Sequence, residues 1–151
     1  VKETTFCTEI VKSIRKIGGW AYKIPDMPYH AIRTQGVRFV GRKPFDIAAC
    51  YEGQPLAIEC KLYRDFKGFG LNQLRDEQIQ ALNDFWEAGG KALVFLNIRI
   101  TGIKGKRKHE NRLLAFEWPM RFHSKKEIEE MAYIQGSRGE FELKTILESL
   151  K

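Results

Sequence analysis

The stretch from Phe45 to Leu62 constrains the fold more than any other part of this 151-residue chain. Two apolar-rich runs, Phe45 to Tyr51 and Pro55 to Leu62, are joined at Glu52-Gly53, a dipeptide suited to the left-handed backbone of a two-residue hairpin turn. With those two residues as the turn, Tyr51 faces Gln54 and the register carries Asp46 directly opposite Glu59. Alternation puts Asp46, Ala48, Cys50, Ala57, Glu59 and Lys61 on one face of the ribbon. Phe45, Ile47, Ala49, Tyr51, Leu56, Ile58, Cys60 and Leu62 take the other. The second face is expected to be core and the first the floor of a cleft.

Two carboxylates directly opposed on neighbouring strands repel each other and need compensation. A divalent cation supplies it. Carboxylate oxygens are hard ligands that suit Mg2+, with Mn2+ as a substitute, and Mg2+ commonly keeps waters and substrate phosphate oxygens in its remaining positions. Lys61 lies two residues beyond Glu59 on the same face, so its ammonium is expected beside such an ion. The small Ala48 and Ala57 nearby leave room for a nucleic-acid backbone to approach. The other reading of Asp46, Glu59 and Lys61 is an exposed charged strand face holding an ordinary ion pair worth 0 to ~1 kcal/mol.

Around this ribbon the periodicity predicts a mixed α/β (α+β) fold in one domain spanning 1–151. Phe6, Ile10, Ile14 and Ile17 mark a helix from Thr5 to Ile17 that Gly18-Gly19 ends. Trp20 to Ile24 reads as a short strand, and 25–44 as a basic, aromatic excursion too short to bury a core of its own. Leu74, Ile79, Leu82 and Phe85 predict a helix closed by Gly89-Gly90, and Ala92 to Ile100 a central strand. A basic loop is expected over 102–112, followed by a strand from Leu113 to Trp118. Two capping boxes, Ser124 with Glu127 and Ser137 with Glu140, each predict the start of a short helix. That order of elements gives a central mixed sheet flanked by helices.

Lys and Arg outnumber Asp and Glu by 26 to 19, a net charge of +7 that points to a polyanionic partner. The longest apolar runs, Ile47 to Tyr51 and Ala92 to Leu96, have five residues, too few for a membrane span. Cys7, Cys50 and Cys60 form no close-spaced pair of the kind that signals zinc or redox chemistry, which implies reduced thiols and a cytoplasmic setting, the host's cytoplasm if the gene is a phage's. His30, His109 and His123 have no motif partners.

Pro44-Phe45-Asp46 followed by Ile58-Glu59-Cys60-Lys61 resembles the PD-(D/E)XK nuclease signature, with one residue between the proline and the aspartate. The helix bearing Thr8-Glu9-Ile10, ending at a glycine before an aromatic strand, resembles the acidic N-terminal helix of archaeal Hjc-type Holliday junction resolvases. The run from Ile58 through Phe69-Gly70-Leu71, Leu74 and Gln78-Ile79 to Gly89-Gly90 is similar to the RecU-type bacterial resolvases. The likeness covers roughly Thr5 to Ile100. It implies a restriction-endonuclease-like fold, with Asp46, Glu59 and the Cys60 backbone carbonyl as metal ligands and Lys61 as the catalytic lysine. It also implies Glu9 as a further ligand or water-holder and Gln78 as a supporting residue; Glu3, nearer the frayed helix start, is a weaker substitute for Glu9. The family's serine or threonine before the catalytic aspartate is replaced here by Lys43, Pro44 and Phe45.

The expected function is therefore a metal-dependent endonuclease that hydrolyses phosphodiesters in four-way DNA junctions, working as a homodimer in recombination and repair. Backbone contacts are expected from Arg33, Arg38, Arg42 and Lys43, where RecU-type enzymes carry a stalk, and from Lys104, Lys106, Arg107 and Lys108. The alternatives are another nuclease of the superfamily, acting in repair, restriction or flap processing, and a non-catalytic DNA-binding module.

Overall fold

The structure is a computed structural model and describes residues 1–26, 43–100 and 110–150. Its centre is one six-stranded mixed sheet, with strands β1 (Trp20–Lys23), β2 (Ile47–Tyr51), β3 (Gln54–Tyr63), β4 (Lys91–Ile100), β5 (Glu110–Glu117) and β6 (Ile134–Gln135) in that spatial order. Every neighbouring pair is antiparallel except β3 and β4, which run parallel. Helices α1 (Glu3–Lys16), α2 (Asp76–Glu87), α3 (Lys125–Glu130) and α4 (Lys144–Glu148) flank it, which makes the fold α+β. Parallel pairing of consecutive strands requires a crossover, and α2 supplies it between β3 and β4. Among the described residues no helix is long and apolar enough to cross a membrane.

The hairpin forms as its sequence dictates. Glu52 and Gly53 both have positive φ, 47° and 81°, and the ladder runs from Tyr51↔Gln54 to Ile47↔Ile58. Both faces of the sheet are nevertheless covered. Ile47, Ala49, Tyr51, Leu56, Ile58 and Cys60 bury themselves against Phe6, Ile10 and Ile14 of α1 and against Phe141, Leu143 and Leu147 near α4. On the other face Ala57, Ala92, Val94 and Leu96 meet Leu82 of α2, Phe69, Phe116 and Ile128 of α3. The expected open floor is thus mostly a second core, because α2 lies across it. Phe45 belongs to this core, not the first: it precedes β2 and its ring packs edge-on to Phe85 at 5.7 Å.

Gly18, at φ 89°, ends α1, and the amide of Gly19 bonds back to the Ile14 carbonyl (3.0 Å), closing the last turn. The Ser124–Glu127 capping box opens α3 as expected. Ser137 and Glu140 do not open a helix. They exchange backbone hydrogen bonds of 3.0 Å in both directions across Arg138-Gly139, whose φ angles of 53° and 74° make a tight reverse turn. The arginine-glycine pair overrides the capping pattern, and the helix begins later, at Lys144. Residues 27–42 and 101–109 hold most of the two expected basic segments and lie outside the described residues.

Candidate active site

The two carboxylates stand where the β2–β3 ladder ends. Asp46 sits one residue before β2, its amide bonding to the Ile58 carbonyl (3.1 Å) and its own carbonyl accepting from Ile24 (2.9 Å), so three chain segments fix its backbone. Glu59 lies in the middle of β3, flanked by β4 through the Glu59↔Val94 pair. Both are buried, at 5% and 1% exposure, which is costly for a carboxylate unless partners surround it.

The partners are identifiable oxygen by oxygen. Asp46 Oδ2 accepts the Cys60 amide at 2.9 Å, and Asp46 Oδ1 meets the Lys43 ammonium at 2.8 Å. Glu59 Oε1 accepts Gln78 Nε2 at 2.6 Å and faces Lys61 Nζ at 3.4 Å. Glu59 Oε2 is buried with no hydrogen-bond partner among the described residues. Burial first, and then the negative charge of Asp46, push the Glu59 carboxyl up to about 8 against the opposing pull of Lys61.

Gln78 is itself held. Its Oε1 accepts the Arg75 amide (2.9 Å) at the start of α2, so the helix that covers the second core also aims an amide donor at Glu59. A side chain that orients a metal ligand typically governs affinity by about 10–100-fold, and Gln78→Ala is expected to weaken Mn2+ binding by that factor, measured by calorimetry on the DNA-free protein.

A pocket of about 230 Å³ opens over these groups, lined by Asp46, Glu59, Lys61 and Gln78 with Lys43, Lys23, Asp26 and Arg75, and by Glu3, Thr4 and Cys7 of α1. Asp46, Glu59, Lys61 and Gln78 are therefore brought together. Glu9 is not. Its carboxylate pairs with Arg99 of β4, which also donates to Asn97 (2.6 Å) in a buried polar cluster with Asn111. Glu3 lines the pocket in its place. Six residues turn a helix so that Glu3 and Glu9 project about 120° apart, and both cannot face one site. Burial pushes the Glu3 carboxyl up while the Lys61 charge pulls it down.

Lys43 also departs from expectation. Rather than standing free for a DNA backbone, it bridges Asp46 and Asp26 (3.1 Å), and although burial favours its neutral form, the two carboxylates hold its pKa above the usual lysine range. Arg33, Arg38, Arg42, Lys104, Lys106, Arg107 and Lys108 lie outside the described residues. Arg75 and Cys7 were not singled out for the site from sequence. The Arg75-x-x-Gln78 spacing at a helix start was the available signal for the first, and Cys7 carried none. Cys7 approaches Cys60, whose thiol is pushed well above its ordinary range by burial and by a hydrogen bond with Cys7.

The donor set fits a hard divalent cation: two adjacent carboxyl groups, one with a buried oxygen that no donor among the described residues meets, and room alongside for water and phosphate oxygens. No family model matches this chain, and no curated protein matches it. Among solved structures it is similar to Hjc, a Holliday junction resolvase of the archaeal hyperthermophile Archaeoglobus fulgidus, at 20% identity over 70% of this chain and 71% of that one, with a TM-score of 0.43.

Proposed function

We propose that this chain is a magnesium-dependent DNA endonuclease of the PD-(D/E)XK type that hydrolyses phosphodiesters in four-way junctions. The observation that carries the reading is the buried Asp46–Glu59 pair, with one Glu59 oxygen that meets no hydrogen-bond partner among the described residues, in one pocket with Lys61 and Gln78. The sequence pattern Pro44-Phe45-Asp46 with Glu59-Cys60-Lys61 supports it independently. A surface ion pair would leave neither carboxylate below a tenth exposed.

In this reading Asp46, Glu59 and the Cys60 carbonyl hold the ion, and Glu3 takes the part expected of Glu9. Bound there, Mg2+ (or Mn2+) supplies a Lewis acid for the scissile phosphate and lowers the pKa of an attacking water. Gln78 fixes the Glu59 carboxylate, and Lys61 accepts or steadies a proton beside it. Arg75 and Lys23 line the same pocket and are placed to meet phosphate charge. Arg33, Arg38, Arg42, Lys104, Lys106, Arg107 and Lys108 supply salt-dependent backbone binding, with Lys43 kept for the site. A junction offers two equivalent strands, which suits a homodimer with two sites, acting in recombination and repair. Three cysteines left as thiols suit the cytoplasm.

The test is a cleavage panel with Mg2+: a four-way junction, a flap, linear duplex and single strand of matched sequence. The junction is expected to be cut at least roughly tenfold faster than the others, about 1.4 kcal/mol of differential transition-state binding. Preferred cutting of flaps or duplex would reassign the substrate, and tight junction binding with no cutting of any substrate would overturn the enzyme reading.

A further inference from the structure

We propose that Cys7, Cys60 and Asp46 form a second metal site, which takes one thiophilic divalent ion such as Zn2+ or Cd2+. The Sγ atoms of Cys7 and Cys60 and a carboxylate oxygen of Asp46 all lie within 4.8 Å of one another, and all three residues are buried. They come from three separate elements: the second turn of α1, the middle of β3, and the residue that precedes β2. A tetrahedral ion with 2.3 Å bonds to sulfur wants its sulfur ligands about 3.8 Å apart, so the side chains need to close by no more than about an ångström.

The donor chemistry separates this site from its neighbour. Two sulfurs and one oxygen select zinc or cadmium and give magnesium little, whereas the Asp46–Glu59 side offers oxygens alone. Cys7 lines the pocket, which gives an ion a way in. The two thiol protons leave to solvent as the sulfurs ligate. Cys50, the third thiol, lies elsewhere in the sheet opposite Trp20 and Pro55 and takes no part, so the chain carries its own control.

Asp46 belongs to both sites, and two dications sharing one carboxylate repel each other. The soft ion therefore competes with Mg2+, and zinc inhibits the enzyme; this consequence, unlike the site itself, rests on the nuclease reading above.

The experiment titrates Cd2+ into the metal-free full-length protein without DNA and follows the sulfur-to-cadmium charge-transfer absorption in the ultraviolet, with stoichiometry from equilibrium dialysis. One cadmium per chain is expected. Cys7→Ser and Cys60→Ser should each weaken binding by more than about 100-fold, beyond the usual effect of losing a supporting residue, while Cys50→Ser leaves the band unchanged. Asp46→Asn should keep the band at lower affinity, and added Mg2+ should shift the wild-type titration to higher cadmium. Circular dichroism checks the fold of each variant, and Cys7→Ser, at the pocket wall, decides the matter if Cys60→Ser does not fold. A wild-type protein with no band, or one whose band survives Cys7→Ser at full strength, overturns the site. A band in a protein that cuts no DNA supports this site and overturns the nuclease reading instead.

Discussion

Asp46→Asn and Glu59→Gln are each expected to lower magnesium-dependent cleavage of a four-way junction by roughly 10³-fold or more while leaving junction affinity unchanged. Lewis-acid stabilisation of a phosphoryl transition state is worth several kcal/mol, and about 4 kcal/mol corresponds to that factor. Binding should survive because phosphate contacts depend on basic side chains, not on this pair. Stability gives a second, opposite readout. The folded-state pKa of Glu59, about 8, lies above its ordinary 4.5, so native protein holds a proton that the unfolded chain has already lost. Metal-free protein should therefore lose stability as pH rises from about 4.5 toward 8. Glu59→Gln removes that loss. Its melting temperature without metal should exceed wild type at pH 8, with the gap narrowing toward pH 5. Magnesium should narrow the gap at pH 8, since saturation to about 100 times Kd adds about 2.7 kcal/mol to wild type alone. A variant less stable than wild type at pH 8 without metal would show that the two carboxylates are not in conflict.

The hairpin was legible because its determinants are local. Glu52-Gly53 fixes the turn, the turn fixes the register, and strand pleating then decides which residues share a face. Asp46 and Glu59 follow from that chain of steps without knowledge of anything outside Phe45 to Leu62. Gln78 needed the family resemblance, since nothing local shows that α2 returns over β3 to meet Glu59. The acidic residue of α1 shows where local reasoning stops. Helical periodicity identifies Phe6, Ile10 and Ile14 as buried but leaves two polar flanks, and only the docked position of α1 shows that Glu3 reaches the pocket while Glu9 meets Arg99. Lys43 is expected from sequence at a DNA backbone because the sequence shows its charge and not the two carboxylates that claim it. The approach of Cys7 to Cys60 is farther still from sequence: 53 positions separate them, and only the docking of α1 on β3 joins them.

Lys61→Ala is expected to reduce kcat by about 10²–10⁴-fold at saturating Mg2+, the range of a lost proton-transfer group, with little change in junction affinity. The side chain has two separable effects on the site. Its ammonium, 3.4 Å from Glu59 Oε1, offsets part of the repulsion from Asp46, so removing it should raise the proton affinity of Glu59 further and weaken metal binding. That part of the defect is recoverable with more Mg2+ or higher pH, because both restore an ionised, occupied Glu59. Loss of a group that acts on the attacking water is not recoverable in this way and remains in kcat at saturation. Lys61→Arg divides the possibilities again: it keeps the positive charge, and so the metal affinity, but a guanidinium does not give up a proton in the accessible pH range. A proton-transfer lysine predicts Lys61→Arg with near-normal Mn2+ affinity and a kcat close to that of Lys61→Ala. Full activity in Lys61→Arg would confine the residue to holding charge beside Glu59. A defect in Lys61→Ala that excess Mg2+ abolishes would leave it as a metal-site residue alone.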